Sequence, residues 1–465
     1  MVTASWRGFP DWVEEAAHWG VNLPGSACGL DAASREQPVE GARVLRVWTS
    51  PEYVEVGQAA DVRSEREDED VVLPRRPERH LRVRDDRTAD LDRVRAHSQA
   101  AGQSPLQVQF DDVLRSSIAS IHGIAERFQV RWGRPLNVAL SMKTNPNPGW
   151  LALAREGDLV AECISLAEVD HAATHGFLSE DMILNGPGKW WPGLPGQPKR
   201  LFGAVFADSL SDLATTMNRI SDGDVGTRTL GVRVRPEGID SRFGIPLHET
   251  RARHDVVAAL QALSDDTRIG VHLHVAASNL GVTRWRQAAR AAVVAAAQLQ
   301  DELGRAIEVV DFGGGWVVDE WNAMATCLDV AALTVCELLP EVDSFIVEPG
   351  KSLTQSGYST LMRVLSVDHV AGAKQIVLTG SFWDCPDVLM YPHEVLWSAE
   401  SGGPWRRLED GPDRLLGRLC METDIVKHGV AAPSVISVGD FVAVMGTGGY
   451  DASLSLEFGA GTSRW

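Results

Sequence analysis

The chain has 465 residues, 44% of them hydrophobic and 23% charged, with a formal net charge of −19. This is the composition of a globular protein with a large core, and the excess of acid disfavours nucleic acid or an anionic membrane surface as a partner. No apolar run approaches the ~20 residues a membrane span needs, the first ten residues have no signal-peptide core, and the six cysteines form no Cys-x-x-Cys pair, which fits reduced thiols in a cytoplasmic protein and neither a disulfide framework nor a metal site.

Residues 1–75 read as an N-terminal extension, partly disordered or capping. Residues 12–19, from Trp12 to Trp19, are spaced for one short helix, and 61–87 are dominated by charge, a solvated or disordered run. A helix is predicted over 110–128, with Leu114, Ile118, Ile121 and Ile124 on one face. Eight β-rich runs follow, at 138–142, 159–163, 182–185, 202–207, 230–235, 269–276, 307–312 and 345–348. Helical stretches lie between them, including 166–175, 255–263 and 285–303. Eight strands, each followed by a helix over ~250 residues, is the arithmetic of an α/β (β/α)8 barrel, here assigned to 105–355. A doubly wound open sheet has the same alternation, because counting strands does not establish closure. Residues 356–465 lose the helical period and read as a C-terminal all-β domain, completed by about 76–104.

In a barrel the catalytic groups come from the carboxyl ends of the strands. Those ends carry Lys143, Glu162, Asn185, Asp208, Arg233 with Arg235, His272 with His274, Asp311 with Gly313-Gly314-Gly315, and Glu348-Pro-Gly-Lys351. Lys143 ends the run Asn137-Val-Ala-Leu-Ser-Met-Lys143 just before Asn-Pro-Asn-Pro148, a turn that cannot extend a ladder. A lysine there is either a solvated rim residue or, with its pKa lowered by desolvation, a nucleophile able to form a Schiff base. Triple glycine lets backbone N–H groups approach an anion closely, and phosphate sites in such barrels often follow strands seven and eight. Gly350-Lys351-Ser352 is not a nucleotide P-loop, because the required first glycine is Phe345. A lysine after the first strand, a phosphate cradle after the seventh and a carboxylate at the eighth together suggest pyridoxal 5'-phosphate: lysine for the aldehyde, glycines for the phosphate, an acid for the pyridine nitrogen.

The chain resembles the fold-type III pyridoxal-phosphate decarboxylases, the ornithine and diaminopimelate decarboxylase superfamily of alanine racemase-like architecture, over about 104–460. The resemblance rests on Ser104-Pro-Leu-Gln-Val-Gln-Phe, Ala139-Leu-Ser-Met-Lys143-Thr-Asn-Pro, Arg233-Val-Arg-Pro, Ser241-Arg-Phe-Gly, His272-Leu-His274-Val, Asp311-Phe-Gly-Gly-Gly-Trp316, Glu348-Pro-Gly-Lys351, Gly417-Arg-Leu-Cys420-Met-Glu-Thr-Asp424 and Gly448-Gly-Tyr450-Asp, in order. It implies that Lys143 is the Schiff-base lysine, that His274 stacks on the pyridine, that Glu348 pairs with its nitrogen, and that Gly313, Gly314, Gly315 and Tyr450 hold the phosphate. Glu162 and Arg233 join the cofactor set. Cys420 would donate a proton to the quinonoid carbon across a homodimer interface.

Departures from the family pattern fall on the substrate pocket. Met421, followed by Glu422, stands where an acid usually binds the substrate's distal amine. Asp387, in Ser381-Phe-Trp-Asp-Cys-Pro-Asp387-Val-Leu-Met-Tyr391, stands at the position of an arginine. Lys351 also replaces an arginine, Glu162 an aspartate, and Ala277, beside Ser278, a serine. With Trp383, and with Trp316, Trp190 and Trp191 at loop ends, these changes describe a rebuilt pocket for a substrate that is bulky, apolar or carrier-tethered, and neither free ornithine nor free diaminopimelate. The expected activity is decarboxylation of an amino acid or amino-acid conjugate. A racemase or epimerase on the same cofactor, or a non-catalytic cofactor-binding protein, are the alternatives. An arginine opposite the pyridine nitrogen would mark the racemase, and this chain has Glu348.

Overall fold

The computed structural model describes residues 37–38, 45–49, 86–190, 199–276, 280–317 and 320–456. The helix expected at 12–19, the charged run up to residue 85, Trp191, Ala277 and Ser278 lie outside the described residues.

Eighteen strands are described, and eight close a barrel in the order β10-β11-β4-β5-β6-β7-β8-β9. These are β4 (Leu136–Ser141), β5 (Val160–Cys163), β6 (Ile183–Leu184), β7 (Arg200–Ala207), β8 (Val225–Arg233), β9 (Arg268–His272), β10 (Val309–Asp311) and β11 (Ser344–Val347). Closure is made by β11 against β4, parallel, with Phe345 opposite Leu136 and Val347 opposite Val138. That ladder removes the open-sheet alternative.

The outer helices form for reasons visible in their residues. Asp111–Trp132 buries Leu114, Ile118, Ile121, Ile124 and Phe128 along one stripe. It stops at Gly133, left-handed at φ 67°, whose N–H bonds to Gln129 O at 2.8 Å. Val282–Leu303 turns a stripe of Ala288, Ala289, Ala292, Ala295 and Ala296 inward.

Inside the barrel, Ala139, Ile183, Ala204, Phe206, Val309 and Ile346 form a separate apolar cluster. Side chains alternate along a strand. The next inward positions toward the carboxyl ends are therefore Ser141, Asn185, Asp208, Asp311 and Glu348. The period that fills the lower barrel with methyl groups brings polar groups to its upper rim.

The second sheet is built on β12 (Tyr358–Val370), which pairs antiparallel with β3 (Leu106–Phe110), with β13 (Ala373–Leu378) and with β18 (Phe441–Met445). Strands β2 (Leu45–Thr49) and β1 (Gln37–Pro38) extend it beyond β3. Of the segment 76–104, the part described from residue 86 is not a strand but mostly the helix Asp86–Ala101. Leu91, Val94 and Ser98 recur at helical spacing and are fully buried. Leu91 and Val94 pack with Phe110, Leu361, Leu396 and Phe441, so this helix covers the sheet and adds no ladder to it.

Three contacts join the second sheet's loops to the barrel rim. Tyr450 N–H donates to Thr144 O at 2.8 Å, Asn145 Nδ2 to Gly448 O at 3.1 Å, and Ser453 Oγ to Lys143 O at 2.7 Å. Among the described residues, no helix is long and apolar enough to cross a membrane.

Candidate active site

Lys143 sits in a single 3-10 turn, Met142–Thr144, directly after β4. The chain then turns through Asn145, whose Oδ1 accepts the Asn147 N–H at 3.0 Å, into a helix with Pro148 first. Proline costs nothing there, because the first helical N–H has no partner inside the helix. The Lys143 side chain is 27% exposed and reaches Glu162, which is 0% exposed. Nζ lies 2.7 and 3.0 Å from the two Glu162 carboxylate oxygens. The expectation of a lysine pKa lowered by desolvation is not met. Burial does work against the charge, but Glu162, Glu348 and Tyr450 outweigh it and hold the ammonium above the ordinary lysine range. Beside it, Glu168 is pushed up to about 7 by burial and by the Glu162 charge.

At the end of β11, the strand paired with β4, Glu348 meets three side chains. Asn185 Nδ2 donates to its Oε1 at 2.8 Å, while Oε2 lies 3.4 Å from His274 Nδ1 and 3.5 Å from His272 Nε2. Burial alone would raise this carboxyl, but His272 reverses that and keeps it well below the usual range. Asp311, register partner of His272, goes the other way: burial and the Glu348 charge push it well above the usual range. Two neighbouring buried acids are thus shifted in opposite directions, Glu348 down and Asp311 up.

Gly314 N–H donates to His274 Nδ1 at 3.1 Å, which leaves the ring proton on Nε2. Burial lowers His274, so the neutral ring is the stable form. Arg233 Nη1 donates to Asp208 Oδ1 at 3.1 Å and Nη2 to His274 O at 3.0 Å. A Cβ on Gly314 would stand 2.2 Å from Glu348 O, and one on Gly313 2.5 Å from Leu273 O. Only glycine allows this backbone to pass so close. Donor atoms of His272, His274 and Glu348 lie within 4.8 Å of one another, a spacing open to a metal ion, but the Gly314 N–H already occupies the Nδ1 lone pair.

Other residues expected at the site divide sharply. Tyr450 lies at the rim, left-handed at φ 76°. Asp387 is 0% exposed and engages Lys351, not open pocket. Trp383 is half-buried against Phe382, ring centroids 4.4 Å apart. Trp316 is core, 1% exposed and 5.1 Å from the Trp285 ring. Trp190 is tied to the helix Leu210–Ser221, with Nε1 donating to Thr216 Oγ1 at 3.2 Å. Cys420, Met421 and Glu422 are exposed on a turn fixed by Asp424, whose Oδ2 accepts the Leu419 N–H at 2.8 Å and whose Oδ1 accepts the Phe382 N–H at 2.9 Å. Among the described residues, no hydrogen bond or ion pair links that turn to Lys143, His274 or Glu348.

Residues 118–355 match the family model described as pyridoxal-dependent decarboxylase, pyridoxal binding domain. The chain belongs to the pyridoxal-dependent decarboxylases. It is 24% identical over 344 residues to an L-glutamyl-[BtrI acyl-carrier protein] decarboxylase of Niallia circulans, covering 68% of this chain and 78% of that one. It is 24% identical over 332 residues to the diaminopimelate decarboxylase of Corynebacterium efficiens, covering 66% and 71%. Its fold is similar to that of diaminopimelate decarboxylase from M. jannaschii in complex with L-lysine, with TM-score 0.66 at 19% identity, covering 79% of this chain and 87% of that chain. Lysine decarboxylase from Selenomonas ruminantium gives 0.62 at 18%, covering 82% and 94%.

This pyridoxal-dependent decarboxylase is therefore an enzyme whose cofactor is pyridoxal 5'-phosphate, in a barrel-plus-sheet fold. Its residues fit that group: an amine and a buried carboxylate at the ends of neighbouring strands, and a glycine backbone that a single Cβ would fill. Motif and strand-end reasoning picked out Lys143, Glu162, Arg233, His274, Glu348 and Asp208. It missed Glu168, which caps a helix beside Lys143, and Tyr391, His393 and Asp451, which surround Asp387. Asp451 had a signal, its place directly after Tyr450. His393 had none, since its partners are distant in sequence.

Proposed function

We propose that this enzyme removes the α-carboxylate of an amino acid whose distal end carries no free charge, an acyl conjugate tethered to a carrier protein being the case that fits best. The observation that carries the decarboxylase reading is Glu348, a buried carboxylate held well below the usual range at the end of the strand next to that of Lys143. Met421 in place of an acid, and Asp387 withdrawn into a buried ion pair, support the uncharged distal end. The carrier-linked relative supports the tether.

When bound, pyridoxal phosphate supplies the sink for the electron pair released as carbon dioxide leaves. Lys143 would hold the cofactor's aldehyde carbon, and Glu162 would take and return its ammonium proton. Glu348 would hold a proton on the ring nitrogen, and the neutral His274 would lie against the ring face. The N–H groups of Gly313–Gly315, with Tyr450, would bind the phosphate, and Arg233 would keep His274 and Asp208 in place. Cys420 would deliver a proton to the substrate's α-carbon in the site of a second subunit, since on its own chain it faces solvent. Sites shared across a homodimer then follow.

Two experiments test this. Carbon dioxide release is measured from ornithine, diaminopimelate, lysine, glutamate and glutamyl thioesters of phosphopantetheine; turnover of ornithine or diaminopimelate equal to that of the thioesters sinks the substrate reading. Separately, inactive Lys143→Ala and Cys420→Ala proteins are mixed and allowed to exchange subunits. Recovered activity is expected, and none would refute the shared site.

A further inference from the structure

A second group of buried charges lies behind the rim. Lys351 Nζ is 2.7 and 2.9 Å from the two carboxylate oxygens of Asp387, and the side chains are 7% and 0% exposed. The ammonium also stands 3.4 Å from the Tyr391 ring centroid and 5.5 Å from that of Tyr450. The lysine stem runs beneath the turn that carries Tyr450, for a Cβ on Gly449 would lie 2.9 Å from Lys351 Cγ. Asp387 is gripped from its other sides. Its N–H donates to Asp451 Oδ1 at 3.0 Å, and Gln355 Nε2 donates to its Oδ2 at 3.4 Å.

His393 completes the set. Its Nδ1 lies 2.8 Å from Met445 O, and a carbonyl only accepts, so Nδ1 carries a proton. Its Nε2 faces Asp387 Oδ2 at 3.4 Å. That nitrogen has no hydrogen bond of its own among the described residues, but the carboxylate beside it favours a charge on the ring, so Asp387 stands between two buried basic side chains, Lys351 and His393. The raised pKa of His393, where burial is outweighed by Asp387 and Asp451, agrees.

We propose that Asp387 is a positioning residue for the phosphate end of the cofactor site: with His393 it holds Lys351 under the Gly448–Tyr450 turn and does not touch substrate. Two departures from the family pattern, lysine at 351 and aspartate at 387, thereby become one. They touch. The buried aspartate at 387 offsets the charge of the lysine at 351 across 2.7 Å. A lysine is a flexible point charge without the arginine fork, so a fixed carboxylate is what gives it one position. The inference rests on the cofactor reading of Tyr450 and is independent of which amino acid is decarboxylated.

The test compares the full-length parent with Asp387→Asn, Asp387→Glu and His393→Gln. Affinities for pyridoxal 5'-phosphate and for pyridoxal, which lacks the phosphate, are measured by quenching of tryptophan fluorescence. Asp387→Asn should weaken pyridoxal 5'-phosphate about tenfold or more, the scale of one lost charge-assisted contact, and leave pyridoxal nearly unchanged. Asp387→Glu should recover part of the loss, and His393→Gln should fall between. Equal weakening of both probes would mean a merely structural role and overturn the proposal. Unchanged cofactor affinity with a raised KM would return Asp387 to the substrate and overturn it too. Should Asp387→Asn not fold, Lys351→Met/Asp387→Leu removes both charges at once and carries the same comparison. An enzyme that binds pyridoxal 5'-phosphate normally but decarboxylates nothing would defeat the function proposed above and leave this inference standing.

Discussion

Lys143 and Glu162 face each other from adjacent barrel strands, with Nζ 2.7 and 3.0 Å from the carboxylate oxygens. The buried carboxylate favours the charged lysine, while attack on an aldehyde needs the neutral amine. Glu162→Gln therefore lowers the pKa of Lys143 and moves the pH profile of covalent cofactor attachment to lower pH. A displacement of about one unit or more is expected, given the size of such pairings. Stopped-flow absorbance on apo-protein across a pH series reads it, and an unmoved profile would contradict the pairing.

Glu348 ends the strand on the other side of β4 from Glu162. Glu348→Gln keeps the volume and the Asn185 contact but removes the charge that His272 stabilises. The expected result is a kcat lower by about 100-fold or more, with the visible absorbance of bound cofactor retained. Loss of the cofactor together with activity would show that the carboxylate serves binding instead.

Gly314→Ala tests the cradle. A Cβ would meet Glu348 O at 2.2 Å, and neither backbone can move without displacing His274, whose Nδ1 accepts the Gly314 N–H. A loss of about 1–3 kcal/mol of stability is expected, along with weaker cofactor retention on dialysis. Normal values for both would mean that the backbone there is softer than the contacts imply.

Glu168 gives a pH signature. Its carboxyl rises from an ordinary 4.5 to about 7. Between those values the folded chain keeps a proton that the unfolded chain has lost. Its contribution to stability is therefore full below the lower value and is lost as pH rises through the higher one. Glu168→Gln should be more stable than the parent at pH 8 by about 1–2 kcal/mol, with little difference at pH 4.5. Denaturant melts at both pH values decide it.

Trp316→Ala separates core from pocket. The ring is 1% exposed and packed on Trp285, so about 3–5 kcal/mol of stability should go. The ranking of substrates in the carbon dioxide assay should stay as it is. A changed ranking in a stable variant would put Trp316 back at the pocket.

Much of the site was legible because barrel chemistry is written at strand ends. Once a strand of alternating residues is recognised, its carboxyl end follows, and Lys143 in the turn just past it, Glu162, Asn185, Asp208 and Glu348 are read off in turn. The tryptophans were not legible by the same route. Trp316 follows the glycine triplet at a loop end, where a pocket residue also belongs, and only packing against Trp285 distinguishes the two. The helix Asp86–Ala101 was obscured by its charges, which hide the stripe of Leu91 and Val94.

By itself the sequence determined the chemistry available: an amine after the first barrel strand, glycine where backbones cross, an acid at the eighth strand. Each is a matter of residue type and short-range backbone geometry, which a few neighbouring residues set. The tertiary structure decided everything that depends on a field. Closure of β11 on β4 joins Phe345 to Leu136. The sign of the Lys143 shift comes from Glu162, 19 residues away, and the fate of Asp387 from Lys351, 36 residues away. A charge's energy in a protein depends on what surrounds it once water is gone, and that is a property of the folded molecule.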